Sequence, residues 1–197
     1  MGKIVYLMGK SSTGKDTIYK KLLKQNEIKF KTLPLYTTRP IRAGEKDGIE
    51  YCFTDEEGYL DLKRQGRIIE ERTYHTTQGE WKYFTVWNEK LDLKHYHYLM
   101  IGTLESYIRT KEWTGKENIV PVYIVLDDGE RLQRALTRER YQKNPQYEEM
   151  CRRFLADTKD FSEEKIREAE VEVRFWNGEL DNCLGEIMEY LRIETER

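Results

Sequence analysis

Five consecutive apolar residues, Ile4-Val5-Tyr6-Leu7-Met8, run without alternation straight into Gly9-Lys10-Ser11-Ser12-Thr13-Gly14-Lys15. An unbroken apolar run of this length predicts a strand covered on both faces, as in a parallel sheet. Past the loop, Ile18, Leu22 and Leu23 fall at i, i+4 and i+5, which turns them onto one face of a helix beginning near Lys15. Strand, glycine-bracketed loop and helix in that order point to an α/β chain. They also place a helix N-terminus, with its unpaired N–H groups, at the end of a strand, where an anion is favoured. Gly9-x-x-x-x-Gly14-Lys15 has the Walker A spacing: the glycines let backbone N–H groups converge on phosphate oxygens, and the lysine reaches the β and γ positions. Gly9, Ser11, Ser12, Thr13, Gly14 and Lys15 are therefore the candidate ATP-binding residues.

The remaining pattern continues the α/β theme. Tyr96 to Ile101 and Val120 to Leu126 read as two further buried strands, separated by enough chain for a crossover helix, and Val171 to Phe175 as another. Leu180, Leu184, Ile187, Met188 and Leu191 trace a helical stripe that would cover one sheet face. Strands alternating with helices predict a doubly wound, three-layer P-loop fold with a parallel core sheet. Two charged stretches stand apart from that core. Residues 34–85 carry turn signals at Ala43-Gly44 and Asp47-Gly48 and a capping box at Thr54-Asp55-Glu56-Glu57, and read as an inserted small sheet. Residues 127–158, with Arg131, Arg134, Arg138, Arg140, Arg152 and Arg153 on helical patterning, read as a helical lid. The core is then 1–33, 86–126 and 159–197.

Asp16 holds the place where a Walker A loop has Ser or Thr, and Thr17 follows it. Asp16 either favours the positive end of the helix or helps to hold Mg²⁺, which is satisfied by one or two carboxylates plus substrate oxygens. Asp16 and Thr17 are the candidate metal residues. Cys52, Cys151 and Cys183 are odd in number and lack a Cys-x-x-Cys pair, which argues against a disulfide framework or a zinc site. His95 and His97, on one face of a strand, have no third ligand nearby and are read as structural or solvated. A net charge of −2 gives no general basic footprint for nucleic acid. The longest apolar runs are far short of a membrane span, so the expected location is the cytoplasm. Oligomeric state is left open.

The most specific stretch is Thr37-Thr38-Arg39-Pro40-Ile41-Arg42-Ala43-Gly44-Glu45-Lys46-Asp47-Gly48-Ile49-Glu50-Tyr51-Cys52-Phe53. It resembles the acceptor region of the guanylate kinase family, which reads Thr-Thr-Arg, Arg-x-Gly-Glu, Asp-Gly and Tyr-x-Phe at this spacing. Ile68-Ile69-Glu70 resembles the family's apolar pair and guanine-reading Glu, and Tyr83-Phe84-Thr85 its Tyr-Gly-Ser. Met150-Cys151-Arg152-Arg153-Phe154 resembles the lid helix, and Asn177 the Asn near the adenine pocket.

The resemblance implies transfer of the ATP γ-phosphoryl to GMP with Mg²⁺ as cofactor. It gives Lys15, Arg138 and Arg153 catalytic roles and adds Asp16, Thr17 and Asn177 to the ATP site. Arg39, Arg42, Glu45, Tyr51, Glu70, Tyr83 and Thr85 become the acceptor site, in which forked arginines bind phosphate and Glu45 orients an arginine. Arg134 is a second lid candidate beside Arg138. Two departures concern the base. Leu99-Met100-Ile101-Gly102-Thr103 lacks the acids that end the family's third core strand, and Leu35 replaces a guanine-contacting serine. The Gly-Lys-Asp loop also resembles ribose 1,5-bisphosphate phosphokinases, which makes a sugar phosphate the alternative acceptor. A non-catalytic guanylate kinase-like binding module is the alternative of another class.

Overall fold

The computed structural model describes residues 1–33, 35–41, 45–48, 51–76, 79–86 and 92–196. The first apolar run is β1 (Ile4–Met8), buried at every position. Helix α1 (Lys15–Lys24) follows the glycine loop, and β2 (Phe30–Thr32) then leaves the core toward an insertion. The insertion holds β3 (Leu35–Thr37), β4 (Cys52–Phe53), α2 (Glu56–Arg64), β5 (Ile68–Thr76) and β6 (Gly79–Val86). The core resumes with β7 (His97–Gly102), α3 (Leu104–Thr114) and β8 (Ile119–Val125). Helices α4 (Asp128–Arg140) and α5 (Tyr147–Asp160) form the lid region, and α6 (Glu163–Glu168), β9 (Arg174–Trp176) and α7 (Leu180–Glu196) complete the chain.

The core sheet is parallel, in the order β2-β7-β1-β8-β9. Because side chains alternate along a strand, β1 feeds two cores. Val5 and Leu7 pack with Ile18 and Leu22 of α1 and Ile187 and Leu191 of α7. Ile4, Tyr6 and Met8 pack with Leu104 and Tyr107 of α3 and Ile166 of α6. Helices on both faces of the sheet give the three layers expected from the sequence. With β1 central and its neighbours reached in opposite directions, the loop after β1 opens at the carboxyl end of the strands, where ligands bind in open α/β sheets.

The insertion forms its own sheet, β4-β3-β6-β5. One face packs Phe84 and Val86 against Tyr59 of α2. Strands β5 and β6 form a long antiparallel hairpin that stays paired out to Thr76 opposite Gly79.

Three sequence expectations shift. The strand expected over Val171 to Phe175 is Arg174–Trp176, because only these residues pair with β8. The cap of α2 is Asp55 rather than Thr54: the Asp55 carboxylate accepts the Gly58 amide at 2.8 Å. His95 precedes β7 and pairs with Asp92 at 2.6 Å, whereas His97 in the strand accepts the Lys3 amide through Nδ1 at 3.2 Å. Both histidines are engaged in local structure. Cys52, Cys151 and Cys183 are free thiols. Among the described residues no helix is long and apolar enough to cross a membrane, and no group of three His, Cys, Asp or Glu residues could hold a metal ion.

Candidate active site

The loop after β1 is fixed by its own hydrogen bonds and by a single asparagine. Thr13, buried, donates its hydroxyl to Lys10 O at 2.9 Å. Ser12 adopts φ 64°, a left-handed conformation unusual for a side-chain-bearing residue and common where a site constrains the backbone. Its Oγ is buried without a hydrogen-bond partner among the described residues. Gly14 caps α1 at φ 88°, and a Cβ there would sit 2.3 Å from Asn177 Nδ2. Asn177 is buried. It donates to Thr13 O at 2.7 Å and hangs from Val125 O through its own amide, so the end of β8 sets the height of the loop.

Lys15 projects from the first turn of α1 with its side chain only 19% exposed, Nζ lying 3.8 Å from Asp16 Oδ2. Burial lowers its pKa, while the charges of Asp16 and Asp157 act in the opposite direction. Asp16 itself is 79% exposed, and Thr17 is also exposed. One accessible carboxylate beside the phosphate lysine fits Mg²⁺ carried in with a nucleotide, since that ion takes most of its ligands from phosphate and water.

Helices α4 and α5 reach the loop through Arg131 and Asp157, neither of them a candidate site residue from the sequence. Arg131 of α4 is fully buried. It donates Nε to Ser11 O at 3.0 Å and Nη2 to Asp157 Oδ2 at 2.9 Å, contacts Asp128 through Nη1, and packs its guanidinium 4.8 Å over the Phe154 ring. The same Asp157 oxygen accepts the Ser11 amide at 2.7 Å. Arg134, one α4 residue chosen from the sequence, donates to Asn177 O at 3.1 Å. Arg138 is half exposed, 3.7 Å from Glu139. Arg153 is exposed on α5, yet close enough for its charge to act on Lys15. A signal for Asp157 was present: it lies four residues after Arg153, hence on the same helical face.

On the acceptor side, Arg39 is buried and held on several sides. Its Nη2 donates to both Glu45 oxygens at 2.7 and 3.0 Å, Nε to Tyr83 Oη at 3.1 Å and Nη1 to Pro40 O at 2.8 Å. Glu45 thus pairs through both carboxylate oxygens with Arg39. The Tyr51 and Tyr83 rings meet edge to face at 5.5 Å. Glu70 is 3% exposed and accepts the Thr85 hydroxyl at 2.8 Å, its cross-strand neighbour on β6. Arg42 lies outside the described residues. Two positions after Glu70, on the same face of β5, stands Arg72, which the sequence reading passed over although the two-residue period marks it. Next to this group, Tyr6 Oη would lie 2.2 Å from a Cβ on Gly102. Tyr6 of β1 therefore stands directly over Gly102, the last residue of β7. A cavity of about 840 Å³ separates β5 from α3 and the lid's C-terminal end, with Arg72, Tyr74, Thr103, Arg109, Asp160 and Lys165 among its walls.

A parallel sheet covered by helices on both faces, a Gly9-x-x-x-x-Gly14-Lys15 loop after its central strand, an inserted sheet and a helical region after β8 define a three-layer α/β protein with the P-loop fold. Within that class the chain is similar to guanylate kinases, as its acceptor motif suggests: residues 1–84 match the family model described as guanylate kinase. Guanylate kinase of Streptococcus pneumoniae (strain R6) is 34% identical over 73 residues, and that of Schizosaccharomyces pombe is 41% identical over 68 residues. These matches span 37% and 34% of this chain and about a third, 35% and 34%, of the curated relatives' length. The crystal structure of guanylate kinase from Anaplasma phagocytophilum superimposes with a TM-score of 0.70 at 22% identity, covering all of this chain and 87% of that one. The fold is shared throughout, while the sequence likeness concentrates in the loop and the acceptor region.

Proposed function

We propose that this protein transfers the γ-phosphoryl group of ATP to GMP, giving ADP and GDP. The observation that carries the reading is Arg39, buried and locked by Glu45 and Tyr83 in the inserted sheet of a chain whose central strand ends in a phosphate loop. A buried arginine clamped in this way is preorganised for an anion and loses little freedom on binding it. Phosphoryl transfer needs chiefly positioning and fixed positive charge, which Lys15, Arg153 and the α4 arginines supply on the donor side and Arg39 on the acceptor side. Asn177 and Gly14 hold the loop open to the β-phosphate. Asp16, with Thr17 beside it, would hold Mg²⁺, which when bound neutralises the β and γ oxygens. The attacking non-bridging oxygen of the acceptor's 5′-phosphate needs no dedicated base, because it is already ionised.

A second reading rests on the base end of the cleft. Tyr6 in place of a strand-end acid and Arg72 beside Glu70 make that end less acidic, which suits an acceptor with a second phosphate, such as ribose 1,5-bisphosphate. An ADP-release assay with ATP, Mg²⁺ and GMP, AMP, UMP or ribose 1,5-bisphosphate tests both. Turnover highest with GMP is expected. Turnover highest with the sugar bisphosphate would replace the first reading by the second, and failure to bind ATP or turn over any acceptor would leave a binding module.

A further inference from the structure

Glu70 and Arg72 present two buried polar atoms of opposite character with no hydrogen-bond partner among the described residues. Glu70 Oε2 is an acceptor and Arg72 Nε a donor, 3.4 Å apart, too long for a good hydrogen bond. The Glu70 side chain is 1% exposed and that of Arg72 15%. An unmet polar atom at such depth is costly, and such atoms in folded proteins call for an explanation. Thr85 occupies the other Glu70 oxygen, and Tyr6 closes the side toward Gly102. Two cavities reach the pair from the remaining sides: one of about 840 Å³ touches Arg72 and one of about 240 Å³ touches Glu70, with Glu71 and Arg109 lining both.

We infer that Arg72 is a base-specificity residue, donating from Nε to the O6 carbonyl of guanine while Glu70 Oε2 accepts from N1–H. The inference rests on the GMP reading above and deepens it. A lactam edge offers an acceptor next to a donor, and Arg72–Glu70 offers the complement in the matching order. Adenine reverses both positions: its amino group faces the arginine donor, and its unprotonated N1 faces the carboxylate. Both contacts then repel, so the pair rejects adenine as well as selecting guanine. The arginine thereby takes over work that Leu35 and the acid-free strand end at Gly102 cannot do. The larger cavity, between β5 and α3, is the space the base would occupy beside Arg72.

The test compares wild type with Arg72→Leu and Arg72→Lys, reading kcat/KM for GMP and AMP in the presence of ATP and Mg²⁺. Calorimetric binding of each monophosphate without ATP is measured in parallel. Loss of the donor should reduce the GMP-to-AMP ratio by about 10- to 100-fold, the range for one good charged base contact. Arg72→Lys, which keeps a cation beside Glu70 and so preserves the fold, should retain part of the ratio. Wild type should also discriminate against 2-aminopurine riboside 5′-monophosphate, which lacks O6. A folded Arg72 variant with the wild-type ratio, or equal losses for GMP and AMP, would overturn the inference and leave the kinase reading standing. GMP binding that depends on Arg72 without turnover would support the inference and remove the kinase reading. No GMP binding by wild type, or a preference for the sugar bisphosphate, would overturn both.

Discussion

Asp157, on the second lid helix, sets one carboxylate oxygen 2.7 Å from the backbone amide of Ser11 in the phosphate loop. The contact places a carboxylate of the chain itself on the loop to which the proposed function assigns the ATP phosphates. A polyphosphate arriving at Lys15 meets that charge directly, since the same carboxylate acts on the lysine.

Replacing Asp157 by Asn should separate two effects of opposite sign. Arg131, fully buried, would lose its charged partner at 2.9 Å while keeping Asp128, so stability should fall by about 1–3 kcal/mol. ATP affinity should rise, because repulsion next to Lys15 is gone. Urea unfolding and ATP titration of one preparation read both; weaker ATP binding by a folded variant would refute the electrostatic account.

Lys15 gives a signed pH effect. Burial sets its folded pKa below the ordinary 10.5. Between the folded and unfolded values the unfolded chain binds more protons, so this group makes stability rise with pH across that window. Bound phosphate favours the charged lysine, so ATP binding at mildly alkaline pH should take up protons. Calorimetry in two buffers of different ionisation enthalpy measures the uptake, which should vanish in Lys15→Met.

Gly14→Ala should be poorly tolerated for two independent reasons. The left-handed backbone at φ 88° costs roughly 1–2 kcal/mol for a residue with a Cβ. That Cβ also strikes Asn177 Nδ2 at 2.3 Å, displacing the group that holds Thr13 O. Reduced thermal stability together with loss of ATP binding is the expected pair of results.

Arg39→Ala should raise KM for the acceptor about 10- to 100-fold, the worth of a charged hydrogen bond, and leave ATP binding unchanged. Arg39 lies in the inserted sheet, which contributes nothing to the loop geometry set by Asn177 and β8. Steady-state kinetics with each substrate varied in turn would show the split.

The core of this fold was legible because burial on both faces leaves an unmistakable mark: Ile4 to Met8 could be little else than a central strand. The loop and the Arg39–Glu45 clamp were legible because motif and chemistry coincide over a short span. Arg131, Asp157 and Arg72 were harder to see. Each acts through a partner remote in sequence or on another element, as Arg131 does on Ser11, and an arginine on a charged helix looks the same whether it is solvated or fully buried. The acid-free stretch ending β7 was visible in the sequence, but only the packing shows Tyr6 standing over Gly102.

The inserted sheet leaves the core after Thr32 and returns before His97, on strands that are immediate neighbours in the parallel sheet. Its two stalks therefore emerge from adjacent strands, and nothing in the donor loop is threaded through it. Substitutions within the excursion, at Arg72 for example, can therefore change what it holds while β1 and the loop after it stay as they are.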